Sequence, residues 1–126
     1  VQRFLEPVLR ADMTWSFAIT EPGSGSDAGA MKTRATPAPG GWHLNGTKHF
    51  ISHGDAADVV IVIAKTAEDN LPTAFLVTHD TPGFTTGRIH PKMGWRGYPV
   101  AELQFKDAFV PAGNRAQHGA DHGCPP

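Results

Sequence analysis

Three short runs in this 126-residue chain hold side chains that could do chemistry together. The first is TEPGSGSD, Thr20 to Asp27. Gly23 and Gly25 allow backbone angles that other residues resist, and they leave amides uncovered. Successive uncovered amides form a concave anion site. Ser24 and Ser26 add hydroxyls, and Thr20, at a strand end, can aim its own at the same ligand. The composition suits a loop that holds a phosphate or the polar edge of a ring. It equally suits a surface turn with Asp27 capping the next turn. No lysine after the second glycine supports a P-loop. No third glycine or crossover helix supports a dinucleotide fingerprint.

The second run is KHFISHG, Lys48 to Gly54. In a strand, Phe50 and Ser52 share a face and could lay a ring and a hydroxyl against a flat ligand. The plainer alternative puts Phe50 in the core and Ser52 at a strand end. The third run is MGWRGYP, Met93 to Pro99. Its Trp95, Arg96 and Tyr98 could recognise a carboxylate or phosphate, or Arg96 could form a structural salt bridge. A metal site is not expected. His118 and His122 with Cys124 would need a helical tail, and Gly119, Gly123 and two terminal prolines oppose one. His43, His49, His53, His79 and His90 are scattered, and Asp55, Asp58, Glu68 and Asp69 read as loop charges.

Short strands joined by turns must position these runs. With 14 glycines and 11 prolines along the chain, there is little room for long helices. Phe4, Leu5, Val8 and Leu9 are at helical spacing, a remnant of a helix interrupted by Pro7. WSFAIT reads as a strand leading into TEPGSGSD. MKTRATPA and GGWHLNGTKHFIS read as two strands, with Asn45-Gly46 the strong turn dipeptide. DVVIVIAK is a continuous apolar run expected to be buried on both faces. LPTAFLVTH, FTTGRI and the alternating AELQFKDAFVP complete the set. Strands at this spacing predict an all-β fold, a small barrel or sandwich of two packed antiparallel sheets.

The bulk properties bound the partners. A formal charge of -1 gives no electrostatic footprint for nucleic acid or an anionic membrane. No apolar run approaches the roughly 18 residues of a membrane helix. A single cysteine, Cys124, makes no internal disulfide, and a reducing cytoplasm is the expected compartment.

Taken in order, AITEPGSGSDAGA, NGTKHFISHG, TPGF, MGWRGYP and ELQFKDAFVPAGN resemble the acyl-CoA dehydrogenase family of flavoenzymes, specifically its middle β-domain. The resemblance spans about Gln2 to Asn114. It implies residues 1–14 as a remnant of an N-terminal helical domain, 15–114 as the β-domain and 115–126 as an unstructured tail. It implies FAD as cofactor, with Thr20 on the pyrimidine edge of the ring, helped by backbone at Phe17 and Ile19. Gly25 and Ser26 fall near the flavin phosphates, Ser26 also near an acyl-CoA. Phe50 covers a flavin face, Ser52 approaches N5, and Ile51 between them belongs to the cofactor-binding set. Phe50 stands where tryptophan is frequent, and Ser52 where threonine is.

The reaction implied is α,β-dehydrogenation of an acyl-CoA thioester, with electron-transfer flavoprotein or a similar acceptor downstream. The full-length family is expected to be homo-oligomeric. Its base lies in a C-terminal helical domain, so no catalytic residue is assigned here and the isolated chain is expected to be inactive. The alternatives are a flavin monooxygenase or nitroalkane oxidase on the same scaffold, or a non-enzymatic binding module.

Overall fold

The computed structural model describes residues 2–116. A helix, α1 (Gln2–Leu9), leads into seven strands: β1 (Trp15–Ala18), β2 (Arg34–Ala38), β3 (Gly41–Ser52), β4 (Val59–Thr66), β5 (Pro72–Thr78), β6 (Phe84–Ile89) and β7 (Val100–Pro111). All seven belong to one hydrogen-bonded sheet. The two longest strands, β3 and β7, pair antiparallel from Gly41↔Pro111 to Ser52↔Val100, and β6 lies on the other edge of β7. On the far side, β4 and β5 form an antiparallel hairpin. The second edge of β4 is shared: β1 runs parallel to Val59–Val62, and β2 runs parallel to Lys65 and Thr66.

The all-β, barrel-like expectation holds, with a correction to its pairing. Instead of two antiparallel sheets there is one curled, mixed sheet. The cause is that β1 stops at Ala18, the chain loops out, and β2 re-enters the same slot in the same direction. Both strands therefore meet β4 in parallel. Strand-forming composition and turn residues mark where strands begin and end, but not which edge a strand joins.

Alternation fixes the core. On β4, Val60, Val62 and Ala64 are fully buried; on β7, Ala101, Leu103, Phe105, Ala108 and Val110 point inward. They meet Leu44, Ile51, Phe75, Val77 and Phe84 in one apolar cluster. The expectation that β4 is buried on both faces is met only in part. Val59 and Leu76 are covered by Phe4 of α1, with Val8, Met13 and Ile61 packed around them, while Ile63 stays half-buried. The start of β1 is tied to that of β4 by Asp58, whose Oδ2 accepts from the amide (2.7 Å) and the hydroxyl (2.8 Å) of Thr14. These bonds hold the Asp58 carboxyl below its ordinary value.

Asn45-Gly46 is not a turn. The reversal between β2 and β3 comes earlier, at Gly40 (φ 79°). Asn45 and Gly46 lie inside β3, where the register with β7 shifts between Leu44 and Gly46. Asn45 exchanges hydrogen bonds with Asp107 across this bulge, Nδ2 to Oδ1 and Oδ1 from the Asp107 amide, each 2.9 Å. Gly46 has φ 152°, and a Cβ there would sit 2.8 Å from Thr33 Cα. The permissive dipeptide is thus used for a bulge and a close backbone approach.

Just past Asn114 the chain still contacts the sheet. Arg115 bridges to Phe75, the Ala116 amide donates to Ala74 (2.9 Å), and the Arg115 guanidinium lies 4.7 Å over the Trp42 ring. The remaining tail, including His118, His122 and Cys124, lies outside the described residues. No helix among those described is long and apolar enough to cross a membrane.

Gly46→Ala should lower stability by about 2 kcal/mol, through unfavourable φ and overpacking against Thr33. Urea denaturation reads this as a lower midpoint at unchanged slope; an unmoved midpoint would refute the close approach.

Candidate functional site

Beyond Ala18 the chain continues along the end of β3. The Ser16 hydroxyl donates to the Ser52 carbonyl (2.6 Å), and the His49 amide donates to the Thr20 carbonyl (2.8 Å). Residues 16–20 therefore run antiparallel to 49–52. This brings Phe17, Ile19 and Thr20 alongside Phe50, Ile51 and Ser52, from strands about 30 positions apart in sequence. On β1, Ser16 and Ala18 point into the core, leaving Trp15 and Phe17 about half exposed on the opposite face.

Phe50 departs from simple alternation. The β3–β7 register shifts between Lys48 and Ile51, and Phe50 has φ +57°. A bulky residue in the left-handed region is a strained conformation. Its effect is that Lys48 and Ile51 both point inward, while Phe50 is 58% exposed. The core alternative for Phe50 is thereby excluded, and the ring stands on the same outer side as Ser52.

The TEPGSGSD loop is held from inside. Glu21 and Ser24 exchange backbone hydrogen bonds, at 2.9 and 3.1 Å, around a tight Pro22-Gly23 corner. The Ser24 hydroxyl is buried and donates to the Asp27 carbonyl (2.7 Å), so it is not the free donor that its residue type suggests. Asp27 precedes a short 3-10 turn, Ala28–Ala30, without capping it through its side chain. Gly23 and Gly25 do not adopt positive φ, and a Cβ on either would meet nothing within 4 Å. Glycine there leaves backbone bare; the fold does not require it. Ser26 is exposed at the tip.

Sequence reasoning misses the pair that anchors this loop. Lys48 is fully buried, and its Nζ donates to Glu21 Oε1 (2.8 Å) and to the Ile19 carbonyl (3.0 Å). Glu21 also accepts from the Lys32 amide (2.6 Å), the Thr33 amide (3.0 Å) and the Thr33 hydroxyl (2.5 Å). Its side chain is 4% exposed. A signal is present in the sequence. Trp42, Leu44 and Lys48 share the period-2 phase of β3, which places the lysine inward. Burial pushes the Glu21 pKa up, but hydrogen bonds from Lys48, Thr33 and the two amides outweigh it, so the net shift is down. For Lys48, burial pulls the pKa down and Glu21 returns only part of it. These shifts value the pair oppositely. Four donors converge on the carboxylate and favour its charged form.

At the same end of the sheet, Lys92 holds the MGWRGYP loop by donating to the carbonyls of Trp95 (2.7 Å) and Tyr98. The expected alternative of a structural salt bridge for Arg96 is not found among the described residues; Lys92 is the cation that orders the loop. The loop meets β3 through the His53 amide, which donates to Pro99 O (2.9 Å), and through His53 and Tyr98 rings 4.1 Å apart. No group of three or more metal-ligating side chains occurs among the described residues.

Six hydroxyls around the first two runs differ in their engagement. Ser16, Ser24 and Thr33 are buried and engaged within the protein. Thr20 and Ser52 are half-buried and Ser26 is exposed, and their hydroxyls have no hydrogen-bond partner among the described residues. A line of unengaged donors beside exposed Phe17 and Phe50 suits a flat ligand with a polar edge and a phosphate.

The family profile described as acyl-CoA dehydrogenase, middle domain, matches residues 16–108. An acyl-CoA dehydrogenase of Bacillus subtilis (strain 168) is 43% identical over 115 residues, 89% of this chain and 30% of that protein. The structure of butyryl-CoA dehydrogenase from Megasphaera elsdenii superposes with a TM-score of 0.87 at 38% identity, covering 94% of this chain and 32% of that one. A glutaryl-CoA dehydrogenase from Mycobacterium smegmatis, solved in complex with FADH2, gives 0.83 at 38% identity, covering 90% and 29%. The chain spans about 30% of the length of the curated relatives it matches.

Lys48→Met or Glu21→Gln alone should cost about 3–5 kcal/mol, because each leaves its partner buried and unpaired. The double variant should lose less than the sum of the two. The lowered carboxylate pKa adds a pH dependence. Its stabilisation is present above the ordinary Glu21 value of 4.5 and is lost as pH falls through the lower folded value. Urea midpoints across a pH range from about 2 to 7 should show that acid-side loss in the wild type and not in Glu21→Gln; parallel profiles would exclude the clamp as its source.

Proposed function

Because the chain belongs to the acyl-CoA dehydrogenase family, as a middle domain, we propose that its rim is one wall of an FAD and acyl-CoA site. The observation that carries this is the division of hydroxyls. Thr20, Ser26 and Ser52, the three assigned to ligand by resemblance, keep their hydroxyls without partners among the described residues, while Ser16, Ser24 and Thr33 beside them are committed to the fold.

In this reading, bound FAD supplies the acceptor for a hydride from the thioester's β-carbon. The residues of this chain bind and orient. Thr20, with the backbone at Phe17 and Ile19, receives the polar edge of the ring. Phe50 covers a face, and Ser52 lies toward the position that accepts hydride; Ile51, whose side chain is buried in the core, can contribute only backbone. A donor there favours the charge that develops on reduction. Gly25 and Ser26 present bare backbone and a hydroxyl to phosphate, and Ser26 also to the CoA portion. The electron acceptor for the whole enzyme is an electron-transfer flavoprotein or a similar carrier, and the enzyme is a homo-oligomer.

The isolated chain is a binding wall and not a catalyst. Three of the carboxylates that the structure engages, Glu21, Asp58 and Asp69, are held in the charged form by convergent donors. A base that removes an α-proton needs the reverse setting. The purified chain should therefore give no acyl-CoA-dependent reduction of an artificial electron acceptor, even with millimolar FAD.

FAD should bind weakly, as one uncovered face implies. Two-dimensional NMR, which detects millimolar affinity, should show shifts at Thr20, Ser26, Phe50 and Ser52. Thr20→Val with Ser52→Ala removes two donors worth about 1 kcal/mol each, weakening binding roughly 30-fold. Shifts confined to other residues, or equal affinity in the double variant, would sink the assignment.

A further inference from the structure

His49, Phe50 and His90 form a closed triangle of rings. Phe50 lies 4.0 Å from His49 and 4.8 Å from His90, and the two imidazoles are 4.7 Å apart, edge to face. His90 comes directly after β6. Its amide donates to the Val100 carbonyl (2.8 Å), and Val100 is the β7 partner of Ser52. A register shift between Thr86 and Ile89 in the β6–β7 pairing sets its position. Two irregularities, one on β3 and one on β6, thus bring these rings together across β7.

The His90 side chain makes no hydrogen bond among the described residues, and its Nε2 is buried without a partner. A histidine kept for hydrogen bonding would have at least that nitrogen engaged. Its ring instead presents a surface to Phe50. Phe50 needs such support. It is strained at φ +57°, mostly exposed, and its only described ring neighbours are the two histidines. A strained conformer persists where its surroundings over-determine it.

We propose that His90 is a positioning residue, which fixes the Phe50 ring as a preformed platform for a flavin and acts through its aromatic face, not its nitrogens. This rests on the flavin-site reading above. His49 is the chain neighbour of Phe50 on β3 and moves with it; His90 comes from another strand and is the independent brace.

The test is NMR of the full chain with His90→Ala, His90→Gln and His90→Phe, each checked for folding by amide dispersion. In the ligand-free state, His90→Ala and His90→Gln should change the shifts of Phe50 and His49, by loss of the His90 ring current and of a fixed Phe50–His49 geometry, whereas His90→Phe should keep them close to wild type. In FAD titrations the first two should bind about fivefold more weakly, the scale of one lost aromatic pair, and His90→Phe within about twofold of wild type. Rescue by His90→Gln but not His90→Phe would overturn the proposal in favour of a hydrogen-bonding role. Equal FAD affinity in all three variants would overturn it while leaving the flavin site intact. Absence of any FAD-induced shift in the wild type at millimolar ligand would overturn the flavin-site reading, and this inference with it.

Discussion

The ion pair between Lys48 and Glu21 is the constraint on which the rest of the rim depends. Taking both charges from water costs several kcal/mol per ion, and their attraction repays it only with good geometry and further hydrogen bonds. Both conditions are met. Lys48 reaches Glu21 and the Ile19 carbonyl; Glu21 also receives Lys32 and Thr33. A well-packed apolar pair could match this in stability, so stability alone does not account for it. What the pair adds is position. It joins β3 to the segment leaving β1 and to the segment entering β2, at the point where two strands exchange places beside β4.

That exchange is also where the site arises. If β1 continued, the slot beside β4 would be filled by ladder hydrogen bonds and residues 19–33 would have no reason to leave the sheet. Since it stops, the chain turns out over the rim and returns, and the turn needs an internal anchor. The carboxylate of Glu21 supplies it by gathering amides that would otherwise be buried and unpaired. Outer positions are left to Pro22, Gly23, Gly25 and Ser26, which the fold barely touches. The interior of the loop belongs to folding, and its exterior is left uncommitted.

Much of this is legible in the sequence, and the exceptions share a cause. Strand segments, the apolar phase of β4 and β7 and the β-class fold follow from local pattern. The family resemblance draws together runs from distant strands that pattern cannot connect. Pairing direction escapes the sequence because β1 and β2 share one slot, a fact about topology. Asn45-Gly46 reads as a turn because a bulge and a hairpin turn ask the same thing of the backbone; only the Asn45–Asp107 exchange and the nearness of Thr33 separate them. Lys48 is hard to see as a core residue although its phase places it there, because charge argues for the surface until the partner is known. The role of Ser24 is hidden for a related reason. Residue type does not reveal whether a hydroxyl is already engaged.

The bulges connect the fold to its chemistry. A regular β3 would put Phe50 in phase with Lys48, both inward, and the rim would lose its aromatic surface. One extra residue between Lys48 and Ile51 turns Phe50 out and restores the inward phase by Ile51. The strain at Phe50 is therefore not a defect of packing, since the core on either side is closed by Lys48 and Ile51. It is confined to the residue that faces outward, and its compensation comes from rings on the outer surface. A rim built this way is held in place by the fold itself. Thr20 is fixed through its carbonyl to His49, Ser52 through its carbonyl to Ser16, and Phe50 through the rings around it. Each keeps the group that would meet a ligand free, because the backbone and not the side chain holds the polar residues in place. Weak binding by this wall would then reflect the area it covers rather than disorder within it.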